Sequence, residues 1–321
     1  MALVTSPFLV AAQPLSKAKF RDPAVTATGE PRAIVPPMGL DTLWFNTGTL
    51  CNLACATCYI ESSPRNDALL YISEGEVRDY LDEIALLGLP TRGIGFTGGE
   101  PFMNREIIPI LRLALDRGFE VLVLTNAMRP MRRWNDQLLA LRDAYGDRLM
   151  LRVSLDHHTQ AAHEAERGAG TWTKALDGLG WLAANCFSIA VAGRQLPGED
   201  LAMARDGYAR LFAAQELPID AADPARLVLF PEMNAAADVP EISEGCWSIL
   251  GKSPAGVMCA SSRMVVRRKG EDAARVAACT LLPYDAGFDM GATLAEALRP
   301  VALNHPHCAR FCVLGGASCT A

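Results

Sequence analysis

Six short apolar runs alternate with helix-like stretches over the first 235 residues, and this alternation restricts the fold more than any other feature. The runs are TLWFNT (42–47), GIGFTGG (93–99), EVLVLTN (120–126), LMLRVSLD (149–156), FSIAVAGR (187–194) and RLVLFPE (226–232). Each is continuous in apolar character, as strands are when both faces of a parallel sheet are covered. Between the first two runs, Ser73 and Glu76 are spaced as a capping box. Val77, Tyr80, Leu81, Ile84 and Leu87 then recur at helical spacing, and Gly88 and Pro90 end the stretch. Further helices are expected over 105–117, with Pro109 an awkward guest near its start, and over 134–145, 171–185 and 200–216. Repeated β-α order gives right-handed crossovers. Six strands are too few for a closed eight-stranded barrel. The expected fold class is therefore α/β, a partial (β/α)6 TIM-like barrel.

Reactive groups in such sheets gather at the carboxyl ends of the strands. A cysteine-bearing loop follows the first run, Gly98-Gly99-Glu100-Pro101 follows the second, and Asn126 ends the third. Ser154 and Asp156 end the fourth, Arg194 the fifth and Glu232 the sixth. All six ends would face one cavity. Asp156 and Glu232 are the candidates there for orienting a substrate or taking a proton.

Half of the residues are hydrophobic and 21% charged, so a sizeable core is expected. The formal charge of −6, without a basic block, argues against wrapping nucleic acid or lying on anionic lipid. No apolar run reaches the roughly 18 residues of a membrane helix. The opening MALVTSPFLVAAQPL has no basic residue before its apolar part and reads as a loose arm, not a signal peptide. The expected organisation is an N-terminal arm (1–41), a barrel (42–235) and a small metal-supported module (236–321).

Ten cysteines in a core-rich chain of 321 residues do not suggest disulfide staples. Cys51, Cys55 and Cys58 lie in one loop, while Cys246, Cys259, Cys279, Cys308, Cys312 and Cys319 crowd the last quarter. Reduced thiolates gathered as metal ligands fit this spacing, and with it a cytoplasmic location. Three thiolates on a four-iron cube leave one iron open to an external group, whereas structural zinc takes four ligands and is closed. A zinc site completed from elsewhere, or chance clustering, stays open on spacing alone. Cys186 reads as a buried small apolar residue.

CNLACATCY (51–59) after a first strand, followed by FTGGEP (96–101) at the end of a second, resembles the cluster loop and GGEP motif of the radical S-adenosylmethionine (radical SAM) enzymes. The resemblance covers about residues 42–232. It implies a partial (β/α)6 barrel and a [4Fe-4S] cluster on Cys51, Cys55 and Cys58. It also implies S-adenosylmethionine chelating the fourth iron through its amine and carboxylate. One departure is Thr57, where the family usually has an aromatic residue; Tyr59 follows instead. The ammonium of S-adenosylmethionine would need acceptors, which the Gly98 and Gly99 carbonyls and the Glu100 carboxylate can supply, the alternative for Gly98-Gly99 being a plain turn after a strand. Ser154 and Arg167 match positions that contact the carboxylate or ribose, against a backbone-satisfied serine and an arginine on a solvated helix. Asn126 is a ribose contact or a strand-end cap. His157, His158 and His163 are off the spacing of a helical metal pair and read as solvated or capping.

In the last quarter, Cys259, Cys279 and the Cys308-x3-Cys312 pair supply four thiolates for a second iron–sulfur cluster or a zinc ion. MCASSRMVVRRKG, AACTLL and CARFC resemble the SPASM and Twitch auxiliary-cluster modules of radical SAM enzymes. The match is looser: the stretch from Gly270 to Cys279 is long, and the final pair is separated by three residues instead of two. It implies one auxiliary cluster, with Cys246 and Cys319 left over and His305 and His307 as outside candidates.

The family's chemistry is reductive cleavage of S-adenosylmethionine to a 5′-deoxyadenosyl radical that takes a substrate hydrogen. An electron donor such as flavodoxin or ferredoxin is implied. An auxiliary cluster tilts the expectation toward oxidation, dehydrogenation or bond formation. The substrate is read as a small molecule, since the roughly 40 residues before the barrel look short for a peptide-recognition domain. A peptide maturase and a zinc-stabilised binding module are the other readings.

Overall fold

The computed structural model describes residues 6–9, 12–231 and 234–316. All six expected strands form: β1 (Thr42–Asn46), β2 (Gly93–Thr97), β3 (Glu120–Thr125), β4 (Leu149–Ser154), β5 (Ser188–Arg194) and β6 (Leu227–Phe230). Each pairs in parallel with the next. β1 shows why the run is unbroken in apolar character: Leu43, Trp44 and Phe45 are all fully buried, so neither face meets water.

The helices α1 (Glu74–Leu87), α2 (Ile107–Asp116) and α3 (Asn135–Tyr145) lie between these strands. Ser73 and Glu76 make the reciprocal capping box, and Gly88 closes α1 in the left-handed region at φ 60°. Pro109 is tolerated because it sits in the first turn of α2, where a backbone N–H has no helical partner to lose. A short charged helix, α4 (Gln160–Arg167), precedes α5 (Thr171–Ala184) and α6 (Leu201–Ala214). Apolar periodicity does not mark α4, since it buries only His163 and Glu166.

The sheet does not stop at residue 235. β7 (Ser262–Val266) pairs in parallel with β1, register Thr42 to Ser262 through Phe45 to Val265. It then turns back into β8 (Arg275–Ala277), antiparallel to it. The order is β6-β5-β4-β3-β2-β1-β7-β8, seven parallel strands and one antiparallel edge. Strand β1, which carries the cysteine loop, is thereby an interior strand.

The opening segment is not the loose arm its sequence suggests. Leu15 N–H donates to the Ala236 carbonyl at 2.8 Å, and Lys19 pairs with Asp238. Arg32, almost wholly buried, meets Glu241 at 2.6 Å, and Ile34–Val35 pairs with Val301–Ala302. The arm has partners that lie more than two hundred residues away in sequence, which its own composition cannot show.

Candidate functional site

The carboxyl ends of the strands surround a cavity of about 1070 Å³, counting its open mouth. Cys51, Cys55, Cys58, Gly98, Gly99, Asn126, Ser154, Asp156 and Arg167 all line it. Glu232 lies outside the described residues. No helix among the described residues is long and apolar enough to cross a membrane.

The Gly98-Gly99 pair is fixed by its approach to the cysteine loop. Gly98 adopts φ 139°, and a Cβ there would lie 2.6 Å from the Gly48 carbonyl oxygen. At Gly99 a Cβ would lie 2.3 Å from the Leu50 carbonyl oxygen. Gly99 N–H donates to Gly48 O at 2.8 Å and Glu100 N–H to Leu50 O at 3.2 Å. The two sequence motifs are thus clasped backbone to backbone, which only glycine permits.

Glu100 differs from its expected place on the ligand's ammonium. It does not line the cavity. Its buried carboxylate accepts from Phe102 N, Thr125 Oγ1 and Asn126 N at 3.2, 2.8 and 2.9 Å. Burial pushes its pKa up to about 7 against these donors. It holds the end of β3 against the end of β2. Asn126 in turn donates from Nδ2 to Asn52 Oδ1 at 2.9 Å, tying β3 to the cysteine loop.

Arg167 Nε meets Asp156 Oδ2 at 2.5 Å. Burial works to raise the Asp156 carboxyl, but the charge and hydrogen bonds of Arg167 outweigh it and hold it below the ordinary value. Arg167 is therefore not on a solvated helix face. Burial raises the Cys51 thiol to about 12 and the Cys55 thiol to about 11, the Arg167 charge opposing the latter. A thiol kept protonated by burial becomes a thiolate when a strongly cationic partner such as iron binds the sulfur and its proton is released to solvent. Three sulfurs on one loop, facing a cavity and lacking a fourth cysteine among the lining residues, fit an open-cornered cluster.

Sequence reasoning missed Glu166. This buried residue accepts from Thr57 N at 2.9 Å, Thr57 Oγ1 at 2.7 Å and Ser6 Oγ at 2.5 Å. Its backbone carbonyl accepts from Ala56 N, and Arg194 lies 3.3 Å from its Oε1. Arg194 also donates to Thr57 Oγ1 at 2.5 Å and covers the Phe8 ring at 4.4 Å. The loop between Cys55 and Cys58 is pinned through Thr57, whose hydroxyl adds bonds to Glu166 and Arg194 beyond the backbone one that any residue here could make. That substitution was the one sequence signal.

The four later cysteines also come together. Cys259, Cys279, Cys308 and Cys312 line a second, apolar cavity of about 340 Å³ with His307, whose Nδ1 has no partner among the described residues. Burial, then the neighbouring thiols, raises the Cys308 thiol well above its ordinary value. Four sulfurs lining one apolar pocket, yet not gathered within 4.8 Å of one another, fit an iron–sulfur cluster better than a single metal ion. Cys246 is outside this lining, its sulfur accepting from Ser243 N at 3.4 Å. Cys319 lies outside the described residues, and His305 packs on Phe288 instead of lining the pocket. Leu281 lines both cavities, and Phe311, between Cys308 and Cys312, lines the first.

Two expectations are overturned. Cys186 is exposed, placed just after α5 at φ 55°. The solvated reading of the histidines fails, since His157 and His163 are buried and His158 is half-buried, whereas the capping reading holds for His157, whose Nδ1 accepts from Thr159 N at 3.1 Å at the start of α4. Phe8 packs on His157, Tyr208 on His158 and Trp172 on His163.

The family description Radical SAM superfamily matches residues 45–205. A nucleotide dehydratase dependent on S-adenosylmethionine, from Selenomonas ruminantium, is 34% identical over 76 residues, 24% of this chain and 26% of that protein. The mycofactocin maturase MftC of Mycobacterium ulcerans is 31% identical over 140 residues, 44% of this chain and 36% of that protein. The chain thus spans about a quarter to a third of the length of these curated relatives. The solved structure of native anSMEcpe with bound AdoMet shares the fold, with a TM-score of 0.57 at 13% identity over 80% of this chain and 79% of that one.

Proposed function

Since the chain belongs to the radical SAM superfamily, we propose that it carries out an oxidation, dehydrogenation or bond formation on a small molecule in the cytoplasm. A low-potential donor of the flavodoxin or ferredoxin type feeds it. When bound, the [4Fe-4S] cluster and S-adenosylmethionine supply a 5′-deoxyadenosyl radical as the hydrogen-abstracting species.

Cys51, Cys55 and Cys58 hold that cluster, and the Gly98 and Gly99 backbone faces the amine. Arg167, fixed by Asp156, is available to a carboxylate or ribose beside Ser154. Glu100 positions these groups from behind the strand ends. Asp156, held ionised by Arg167, suits orienting a donor group more than removing a proton. Phe230, Phe311 and Leu281 give the cavity an apolar wall that keeps water from the reacting carbon. Cys259, Cys279, Cys308 and Cys312 hold the second cluster, in a module that spans 236–321 and joins the barrel through β7.

The observation that carries the oxidative reading is Leu281, a residue that lines both cavities. A cluster on the four later cysteines would stand one residue from the substrate. Anaerobic reconstitution tests this: about eight irons and matching sulfide per chain are expected. With dithionite and S-adenosylmethionine, 5′-deoxyadenosine should form. Zinc without inorganic sulfide would sink the reading in favour of a binding module. A peptide maturase is the second reading, favoured by the similarity to MftC. Incubation with peptides from neighbouring open reading frames, followed by mass spectrometry, separates the two.

A further inference from the structure

Behind the cavity wall, outside the site described above, His157, His158 and Glu199 each bring one donor atom within 4.8 Å of the others. They come from the loop after β4 and the loop between β5 and α6. We propose that they form a binding site for a divalent transition-metal ion of the zinc class. Two imidazoles and a carboxylate are a common donor set for such an ion, with water completing four-coordination.

Each donor is already held in place. His157 Nε2 lies 3.3 Å from Glu199 Oε1. Its other nitrogen, Nδ1, accepts from Thr159 N at 3.1 Å and lies 2.8 Å from Thr159 Oγ1, so the orientation of the ring is fixed from its far side. Ligating histidines usually have such an outer partner. Glu199 is anchored separately, its Oε2 accepting from Leu196 N at 3.0 Å. The His158 ring stacks near His157, centroids 4.0 Å apart, in a slot that exists because residue 207 is glycine: a Cβ there would lie 2.5 Å from the ring. His158 Nδ1 is buried and has no hydrogen-bond partner among the described residues. An unpartnered buried nitrogen beside a second imidazole and a carboxylate is accounted for by a cation. His157 also touches Phe8, whose ring lies under Arg194, so an ion here would brace the wall of the first cavity.

The test uses the full chain with its cysteine sites loaded anaerobically with iron and sulfide. Zinc, up to one equivalent, is titrated against a metallochromic chelator. One zinc per chain is expected, weakened about tenfold to a hundredfold in His158→Ala and in the isosteric Glu199→Gln. Iron content equal to wild type shows that both variants fold. Cobalt(II) in place of zinc should give weak visible bands without thiolate charge-transfer absorption. No retained zinc in the wild type, equal affinity in wild type and both variants, or a thiolate cobalt spectrum would each overturn the site.

Discussion

The two cysteine sets are built in opposite ways. The first takes three sulfurs from one eight-residue loop and fixes that loop by contacts from outside: the Gly98-Gly99 backbone, Asn126 and Glu166. The second takes four sulfurs from three separate places: a turn before β7, the segment after β8, and the C-terminal helical turn Cys308–Leu314. In the first, the fold positions the ligands. In the second, on the proposed assignment, the ligands would hold the fold, because the pocket they line is small and the surrounding elements are short. A loop that the protein shapes in advance can leave a corner open for chemistry, while a centre that ties strands together has every position taken.

That contrast can be broken at four points. The largest effect is expected from Cys55→Ala, which should reduce 5′-deoxyadenosine formation to background while leaving the apo-protein's thermal midpoint within about 2 °C of wild type. A large drop in that midpoint would mean the first loop is structural after all. Cys279→Ala should lose about half of the iron and, unlike Cys55→Ala, lower the midpoint of the loaded protein by several degrees, since metal binding there is folding energy. Chelator treatment should mimic it. Glu166→Ala removes the acceptor for Thr57 and leaves Arg194 buried beside a gap, at a cost of about 3 kcal/mol in urea unfolding. It should also broaden the paramagnetic resonance of the first cluster while sparing the second. Glu166→Gln should recover most of both.

The smallest effect concerns the edge hairpin. Asp289 accepts from Arg275 Nε at 2.9 Å and from Arg268 Nη1 at 2.7 Å, and the Arg275 bond foremost holds its carboxyl well below the ordinary value. A carboxyl lowered in the folded state stabilises above the unfolded value of about 4 and loses that contribution as pH falls below it. Asp289→Asn should cost about 1 kcal/mol at pH 7 and flatten the acid limb of stability between about pH 4 and 2. An unchanged acid limb would show that the hairpin does not depend on this pair.

The sequence carried what is local. Strand runs such as LMLRVSLD, the capping box at Ser73 and the cysteine spacing are each written within a dozen residues, where periodicity and side-chain chemistry can be read directly. It did not carry what needs a partner elsewhere. Glu166 looks like one more charge on a short helix until α4 folds it under Thr57, 109 positions away. The arm looks loose until Arg32 finds Glu241. VVRRKG suggests a strand, but nothing in it says that its neighbour is β1 and not another strand of its own module. His157 and His158 look polar and solvent-facing because the residues that cover them, Phe8 and Tyr208, come from distant segments.

The placement of β7 beside β1 has a consequence for biosynthesis. The strand bearing the first metal loop leaves the ribosome early, yet its outer neighbour is translated only after another two hundred residues. Until then the TLWF backbone is a bare, apolar edge, open to pairing with other nascent chains. The arrival of Ser262–Val266 is what seals it, so a truncated product ending before Ser262 should accumulate as aggregate, not as a working barrel without this strand.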